Sequence, residues 1–222
     1  MGKTSILRNT ANSVGYRVKV AYINMLNAGN ISQGVGEVLM AICDVISETV
    51  NIPPPSDADL LNLPYRTFER YLKQIVETQL IPSQQGLIIA LDEFEKIEEL
   101  ITAKKIPAHF MGYLRGLVQM YSQIGFSFPG LHTLEEMTAN YFEPFFASVI
   151  PIHVGFMERA ATHQILANPI SLLGEENEGG EDFPLDFTPE ALDKIYHLTH
   201  GQPYLVQLLG FQLVRRYNDQ VF

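Results

Sequence analysis

The segment 86–93, GLIIALDE, constrains the fold of this chain more than any other. Residues 87–91 form an unbroken apolar run, which is typical of a parallel strand that is buried on both faces. Two acids, Asp92 and Glu93, follow this run directly. Side chains at the carboxyl end of a parallel strand reach the edge of the sheet where ligands bind in α/β folds. The segment therefore predicts both a buried sheet and a candidate site at its edge.

Short β-rich runs alternate with longer amphipathic stretches in the first part of the chain, which is typical of an α/β domain with a mainly parallel sheet. The predicted strands are residues 17–25, 87–91, 126–128 and 149–154, and the predicted helices are residues 4–13, 31–50, 65–80, 94–104 and 107–124. After residue 157 the pattern is helical, with segments at 158–167, from Pro189 behind the capping residue Thr188, and from Pro203. We therefore expect an α/β core over residues 1–157 and a small helical lid over residues 158–222.

The charge and the cysteine content exclude several classes of function. The chain has 15 Lys and Arg against 25 Asp and Glu, a net charge of -10, and this disfavours binding to nucleic acid or to anionic lipid. Cys43 is the single cysteine, so an internal disulfide and a Cys-rich zinc site are excluded. We expect Cys43 in the core. The polar start and the absence of a long apolar stretch predict a soluble, cytoplasmic protein without a membrane partner.

The chain begins Met1-Gly2-Lys3-Thr4-Ser5, which matches the end of the phosphate-binding loop G-x-x-x-x-G-K-[ST]. In such a loop the backbone amides and the following helix N-terminus bind phosphate, the lysine contacts the terminal phosphates, and the hydroxyl of the Thr4 position binds Mg²⁺. The leading glycine would lie about four residues before Met1. We expect the loop to be completed in a longer protein by a strand that pairs beside the Asp92 strand; the alternative is a degenerate loop.

The two motifs together predict a nucleotide site. Asp92 can hold Mg²⁺ directly or through water, and Glu93 is placed to orient or deprotonate the attacking water. Acids are also favoured at a helix start by the helix dipole, so the acidic pair alone has a structural explanation. Combined with Gly2-Lys3-Thr4-Ser5 and an intervening strand–helix unit, the pair indicates a P-loop ATPase of the class with an added strand and a catalytic glutamate.

Several segments resemble, in their order along the chain, the AAA-related STAND ATPases near the archaeal and bacterial ATPase-like group. They are MGKTSIL at the start, GLIIALDEFEKI at 86–97, FSFPGLHTLEEM at 126–137, IHVGFMERAATHQILANP at 152–169 and HGQPYLVQLLGFQLV at 200–214. The resemblance implies a P-loop sheet flanked by helices, a helical lid, and a slow ATP-hydrolysing switch that acts on protein partners or a fused effector domain. Mg-ATP would be held between core and lid.

The resemblance also assigns roles to individual residues. It implies catalytic roles for Lys3 and Glu93, and Mg²⁺ binding by Thr4 and Asp92. The family's G-x-P signature, here Gly201-Gln202-Pro203, implies a contact near the adenine. The implied nucleotide-binding set is Gly2, Lys3, Thr4, Ser5, Gly201 and Pro203.

Some assignments stay open on sequence grounds. The family's sensor position falls on His132 or Thr133, although Thr133 also suits a helix cap. Arg159 either reaches a γ-phosphate or is a solvated helix arginine. His200 either lines the base pocket or interacts with a helix dipole. His197 and His200 have a helical spacing that suits zinc, but no third ligand is near them in sequence.

Two functions of other classes also stay open. The first is an interaction domain that has kept the fold and lost the nucleotide. The second is a DNA-binding initiator-type ATPase, for which Arg215 and Arg216 supply too little positive charge. The sequence does not exclude GTP, but the resemblance at Gly201-Gln202-Pro203 favours adenine.

Overall fold

The computed structural model describes residues 3–26, 34–130, 150, 152–167 and 187–221. The chain divides into two compact units, Lys3–Ile152 and His153–Phe222, whereas the sequence placed the boundary after residue 157. Three expectations lie outside the described residues: Gly2 of the phosphate loop, the sensor at His132 or Thr133, and the first residues of the helix predicted at 31–50.

The first unit alternates helices and strands, as its sequence pattern predicts. Its elements are α1 (Lys3–Val14), a 3-10 turn (Gly15–Arg17), β1 (Val18–Asn24), α2 (Val35–Val50), α3 (Asp57–Asn62), α4 (Pro64–Ile75) with a π-helical turn (Val76–Leu80), β2 (Gly86–Asp92), α5 (Glu95–Thr102), α6 (His109–Met120) and β3 (Ile124–Ser127). The three predicted strands that fall in this unit's sheet are confirmed to within three residues at each end.

The described strands form a three-stranded parallel sheet in the order β1-β2-β3. Asn24 of β1 pairs with Asp92, and Ala90 of β2 lies between Tyr22 of β1 and Ser127 of β3. Since β2 has a neighbour on each side, no further strand can pair with it. The expectation of a missing strand beside the Asp92 strand is therefore wrong, and an added strand could join only at the outer edge of β1 or β3.

One face of the sheet carries the hydrophobic core. Alternate side chains of a strand point to opposite faces. The strand residues in this core all lie on the same face of the sheet: Ala21, Ile23, Leu87, Ile89, Leu91 and Ile124. Helices α2, α4, α5 and α6 supply most of the other large buried side chains, including Ile42, Phe68, Ile97 and Phe110. Leu7 of α1 is buried but does not belong to this core, and α1 contacts β1. Helix α1 therefore packs on the opposite face, the face that Asp92 shares with Ala90 and Tyr22.

Local sequence signals explain the element bounds. Helix α3 falls between the helices predicted at 31–50 and 65–80, where the sequence predicts no element, and Ser56 caps it by accepting a hydrogen bond from Asp59 N at 3.2 Å. Helix α6 ends at Met120 rather than residue 124, because Tyr121 is extended. The strand predicted at 149–154 is wrong where the structure describes that segment, since residues 150 and 152–154 have no regular secondary structure.

The second unit contains helices α7 (Arg159–Ala167), α8 (Pro189–Thr199) and α9 (Pro203–Val221). The cap predicted at Thr188 is confirmed, since its Oγ1 accepts a hydrogen bond from Ala191 N at 3.2 Å. A small core forms around Leu166, Ile195 and Val206, one residue from each helix. Among the helices of the described segments, none has both the length and the apolar character that crossing a bilayer requires.

Candidate functional site at the carboxyl edge of the sheet

Asp92 is a buried carboxylic acid at the carboxyl end of the central strand. Its residue surface is 4% exposed, although acids are rarely buried unless they are paired. The apolar run before it accounts for this position, because Leu87, Ile89 and Ala90 are each at most 1% exposed and fix β2 inside the unit. The location at the strand's carboxyl end is the one that the sequence predicted.

Two hydrogen bonds orient the Asp92 carboxylate. Tyr22 donates its hydroxyl to Oδ2 at 2.8 Å, and the backbone N–H of Glu93 donates to Oδ1 at 3.1 Å. Donors of this kind stabilise a charged carboxylate. A carboxylate offers about four lone-pair positions, so it can accept hydrogen bonds and bind a cation at the same time. Such an oriented carboxylate suits a hard divalent ion such as Mg²⁺.

Glu93 occupies a left-handed backbone conformation directly after the strand. Its φ is 56°, a value that is uncommon for residues other than glycine. The Asp92 side chain accepts from its N–H, and its carbonyl accepts from Lys96 N at 3.0 Å, so bonds on both sides hold the turn. Glu93 is half-buried. Strained backbone of this kind is found at functional sites more often than elsewhere.

The loop that leaves β3 contacts the turn after β2. Phe94 N donates to the carbonyl of Pro129 at 3.4 Å, and the rings of Phe94 and Phe128 lie 4.7 Å apart. Gly130 lies so close to Glu95 that a Cβ on this glycine would be 2.7 Å from Glu95 Oε1. The segment 128–130, which follows β3 directly, therefore packs against the turn that carries Glu93.

The phosphate-loop residues are only partly described. Lys3 is the first residue of α1, and Thr4 and Ser5 lie in its first turn, but the structure describes none of these three side chains. Helix α1 lies on the Asp92 face of the sheet. Whether the Lys3 amine and the Thr4 hydroxyl meet Asp92 and Glu93 stays a prediction.

Gly201 has a structural explanation within the second unit. Its φ is 72°, and a Cβ at this position would overlap the carbonyl oxygen of Met157. Met157 N donates to Gly201 O at 2.8 Å, and Gln202 caps α9 by accepting from Leu205 N at 2.6 Å. His200 ends α8 with a left-handed φ of 48°. The G-x-P segment is thus a tight turn between two helices, and the adenine contact implied for Gly201 and Pro203 stays a prediction.

Arg159 is held by a carboxylate of the neighbouring helix. Its Nε donates to Asp193 Oδ1 at 2.8 Å, and its Nη2 contacts Asp193 Oδ2. His163 Nε2 lies 3.1 Å from Asp193 Oδ1 without the geometry of a hydrogen bond. The hydrogen bond from Arg159, with its positive charge, lowers the pKa of Asp193 below its usual range. Arg159 is therefore an exposed helix arginine that pairs with Asp193, which agrees with the solvated alternative, and a contact with a γ-phosphate stays a prediction.

The described residues offer no zinc site. No cluster of three or more His, Cys, Asp and Glu side chains suited to a metal ion occurs in the described parts of either unit, and the pair His197 and His200 does not change this. A magnesium ion has a different requirement, because it is commonly bound by one or two carboxylates together with substrate phosphates. Asp92 meets that requirement without a cluster.

Tyr22 and Asp193 are the two polar contributors that the sequence analysis missed. Tyr22 lies inside a predicted strand, but only the register of β1 on β2 brings its hydroxyl to Asp92. Asp193 lies on α8, more than 30 residues from Arg159, and no local spacing links the two.

No protein-family model matches this chain, and no curated protein matches it.

Proposed function

We propose that this chain binds ATP with Mg²⁺ and hydrolyses it slowly, as a cytoplasmic molecular switch of the STAND and AAA-related class of P-loop ATPases. The observation that carries the proposal is the position of Asp92: a buried, oriented carboxylate at the carboxyl end of the central parallel strand, on the face against which α1 packs. Ligands of open α/β sheets bind outside this edge. Helix α1 begins at Lys3 of the G-K-T-S sequence.

Each residue of the proposed site would have its own role in binding and hydrolysing Mg-ATP. Asp92 binds the metal directly or through water, and Thr4 supplies a second oxygen. Lys3 and the amides of Gly2 and Ser5 bind the phosphates. Bound Mg²⁺ would neutralise charge on the phosphate oxygens. Glu93 orients the attacking water or accepts its proton. Nucleotide-dependent changes in the surface would then be transmitted to protein partners or an effector domain.

Nucleotide binding is tested by the melting temperature of the chain with ATP, with Mg-ATP and with Mg-GTP. A ligand at 100 times its Kd adds about 2.7 kcal/mol of stability. Lys3→Ala should abolish this gain, and the exposed Lys73, which pairs with Glu77 four residues further along, provides the control Lys73→Ala. Asp92→Asn should remove the dependence on Mg²⁺. Equal ATP affinity in the wild type and Lys3→Ala would contradict the assignment.

Hydrolysis is tested separately from binding. Glu93→Gln removes the base but keeps the size of the side chain, so we expect ATP binding to persist while phosphate release falls by about 10²-fold or more. Glu99→Gln, on the exposed side of α5, is the matched control. If phosphate release is lost in both Glu93→Gln and Glu99→Gln, the loss in Glu93→Gln is not evidence for a catalytic role of Glu93.

Two observations favour a second candidate, an interaction domain that has lost the nucleotide. The close contact with Met157 explains why residue 201 is glycine, and Arg159 is paired with Asp193. Neither Gly201 nor Arg159 therefore requires a nucleotide. This candidate predicts a melting temperature that neither Mg-ATP nor Mg-GTP changes. The thermal-shift comparison above therefore separates the two functions.

A further inference from the structure

Tyr22, Asp92 and Glu93 form a continuous chain of hydrogen bonds from β1 to the turn after β2. We propose that Tyr22 is a positioning residue, which fixes the Asp92 carboxylate for Mg²⁺ and, through Asp92, fixes the backbone that presents Glu93. This inference rests on the proposed function, because it concerns the same metal site. Nothing in the sequence pattern alone assigns a role to Tyr22.

The strand register explains how Tyr22 reaches Asp92. Tyr22 pairs with Ala90, two residues before Asp92, and side chains two residues apart on a strand point to the same face. The phenol therefore extends along this face toward the carboxyl edge, where its hydroxyl donates to Asp92 Oδ2 at 2.8 Å. A shorter side chain at this register position would not span the distance.

The two oxygens of Asp92 have donors on different elements. Oδ2 accepts from the Tyr22 side chain of β1, and Oδ1 accepts from the Glu93 amide that follows β2. Rotation of the carboxylate about its Cβ–Cγ bond would break both hydrogen bonds. The carboxylate is thus held in one orientation before any cation arrives, which is how outer partners of metal ligands act, and their loss typically weakens metal binding 10- to 100-fold.

Glu93 depends on the same contacts. Its backbone has a φ of 56°, and its N–H donates to the Asp92 carboxylate. Because the side chain leaves the Cα in a direction set by φ and ψ, a change in the Asp92 orientation would also turn the Glu93 carboxylate. Tyr22 would therefore influence both the metal ligand and the base although it touches neither metal nor nucleotide.

The test uses Mn²⁺ as the probe, with free Mn²⁺ followed by electron paramagnetic resonance in the full chain with and without ATP. We expect Tyr22→Phe, which removes only the hydroxyl, to weaken Mn²⁺ binding about 10-fold or more. Tyr71→Phe is the matched control, because Tyr71 also donates its hydroxyl within this unit, to Ile52 O at 2.9 Å, remote from Asp92 in the core. A purely structural hydroxyl would affect melting in both variants and Mn²⁺ affinity in neither.

A second variant keeps the test decisive if Tyr22→Phe folds poorly. Replacement of Tyr22 by 4-aminophenylalanine keeps an N–H donor at the same reach, so the Mn²⁺ affinity of this variant should lie between those of the wild type and Tyr22→Phe. If the wild type binds Mn²⁺ and ATP, and the Tyr22 variants bind Mn²⁺ with the same affinity as the wild type, the inference is overturned. The proposed function then stays intact. A wild type that binds neither Mn²⁺ nor ATP would overturn both.

Discussion

Met157 and Gly201 are joined backbone to backbone: Met157 N donates to Gly201 O at 2.8 Å, and no side chain fits between them. Gly201 is buried and has a φ of 72°. Only glycine has both the conformational freedom and the lack of a Cβ that this approach requires. The contact ties the segment before α7 to the turn between α8 and α9, so it helps to hold the second unit together.

Gly201→Ala should therefore destabilise the second unit in the absence of any nucleotide. We expect a loss of about 2–4 kcal/mol, from left-handed strain together with overlap on the Met157 carbonyl. Hydrogen exchange in peptides of α8 and α9 measures this loss. Gly155→Ala is the control, because Gly155 has no atom within 4 Å of its would-be Cβ. Normal exchange protection in Gly201→Ala would contradict the close contact.

The order of elements in the first unit was predictable because each signal is local. The apolar run at 87–91 and the three- and four-residue spacing in α2 depend only on neighbours in sequence. The pairing of β2 on both sides was not predictable, since strand order is set by tertiary packing. Helix α3 was not predicted, although Ser56 and Asp59 form its cap, because three prolines, Pro53 to Pro55, disfavour helix directly before it.

Cys43 and Tyr71 should make the first unit sensitive to alkaline pH. Burial, and secondarily the charge of Asp44, raises the pKa of the Cys43 thiol to about 12, and burial raises the pKa of Tyr71 to about 12. The unfolded groups ionise near 8.5 and 10. Below pH 8.5 their contribution to stability is complete, and it is lost as pH rises toward 12, because the unfolded chain then releases protons that the folded chain retains.

Urea denaturation at a series of pH values measures this effect. We expect the unfolding midpoint to fall from about pH 8.5 upward in the wild type, and from about pH 10 upward in Cys43→Ala, since buried tyrosines such as Tyr71, which ionise near 10 in the unfolded chain, then account for the loss. The smaller side chain in Cys43→Ala lowers the free energy of unfolding by the same amount at every pH. This constant loss does not affect the comparison, because only the pH dependence of the two proteins is compared. Coincident pH profiles of the two proteins would show that the thiol is not protected in the folded state.

Asp193 should titrate at an unusually low pH because of Arg159. The hydrogen bond from Arg159 lowers the pKa of Asp193, so the stability that it provides is present above about pH 4 and is lost as pH falls through the lowered pKa. In a carboxyl-carbon NMR titration, Arg159→Gln should move the Asp193 midpoint up to its ordinary range. Arg215→Gln, on the exposed surface of α9, should leave the midpoint unchanged. An unshifted midpoint in Arg159→Gln would contradict the pairing.

The candidate site was predictable in part for the same reason as the fold. Asp92 and Glu93 follow a recognisable strand, so their place at the sheet edge required no knowledge of tertiary contacts. The bond from Tyr22 and the contact of Gly130 with Glu95 required the register of three strands and the path of the loop after β3. Long-range polar contacts of this kind leave no periodic signal in a single sequence.

Glu93 provides a test of backbone strain at the candidate site. A residue with a side chain costs about 1–2 kcal/mol in the left-handed region, whereas glycine adopts it readily. Glu93→Gly and Glu93→Ala both remove the carboxylate, so the difference between them reports on the backbone alone. We expect Glu93→Gly to be more stable than Glu93→Ala by about 1 kcal/mol in urea denaturation.

At Glu69, in the middle of α4, the order should be reversed, because glycine is about 1 kcal/mol less favourable than alanine in a helix interior. This pair controls for any general effect of glycine on the unfolded chain. Both Glu93 variants should also lose ATP hydrolysis under the proposed function, so that the more stable variant, Glu93→Gly, would be no more active than Glu93→Ala. If Glu93→Ala is the more stable of the two, the left-handed turn after β2 does not exist in solution, and the orientation of Asp92 by the Glu93 amide fails with it.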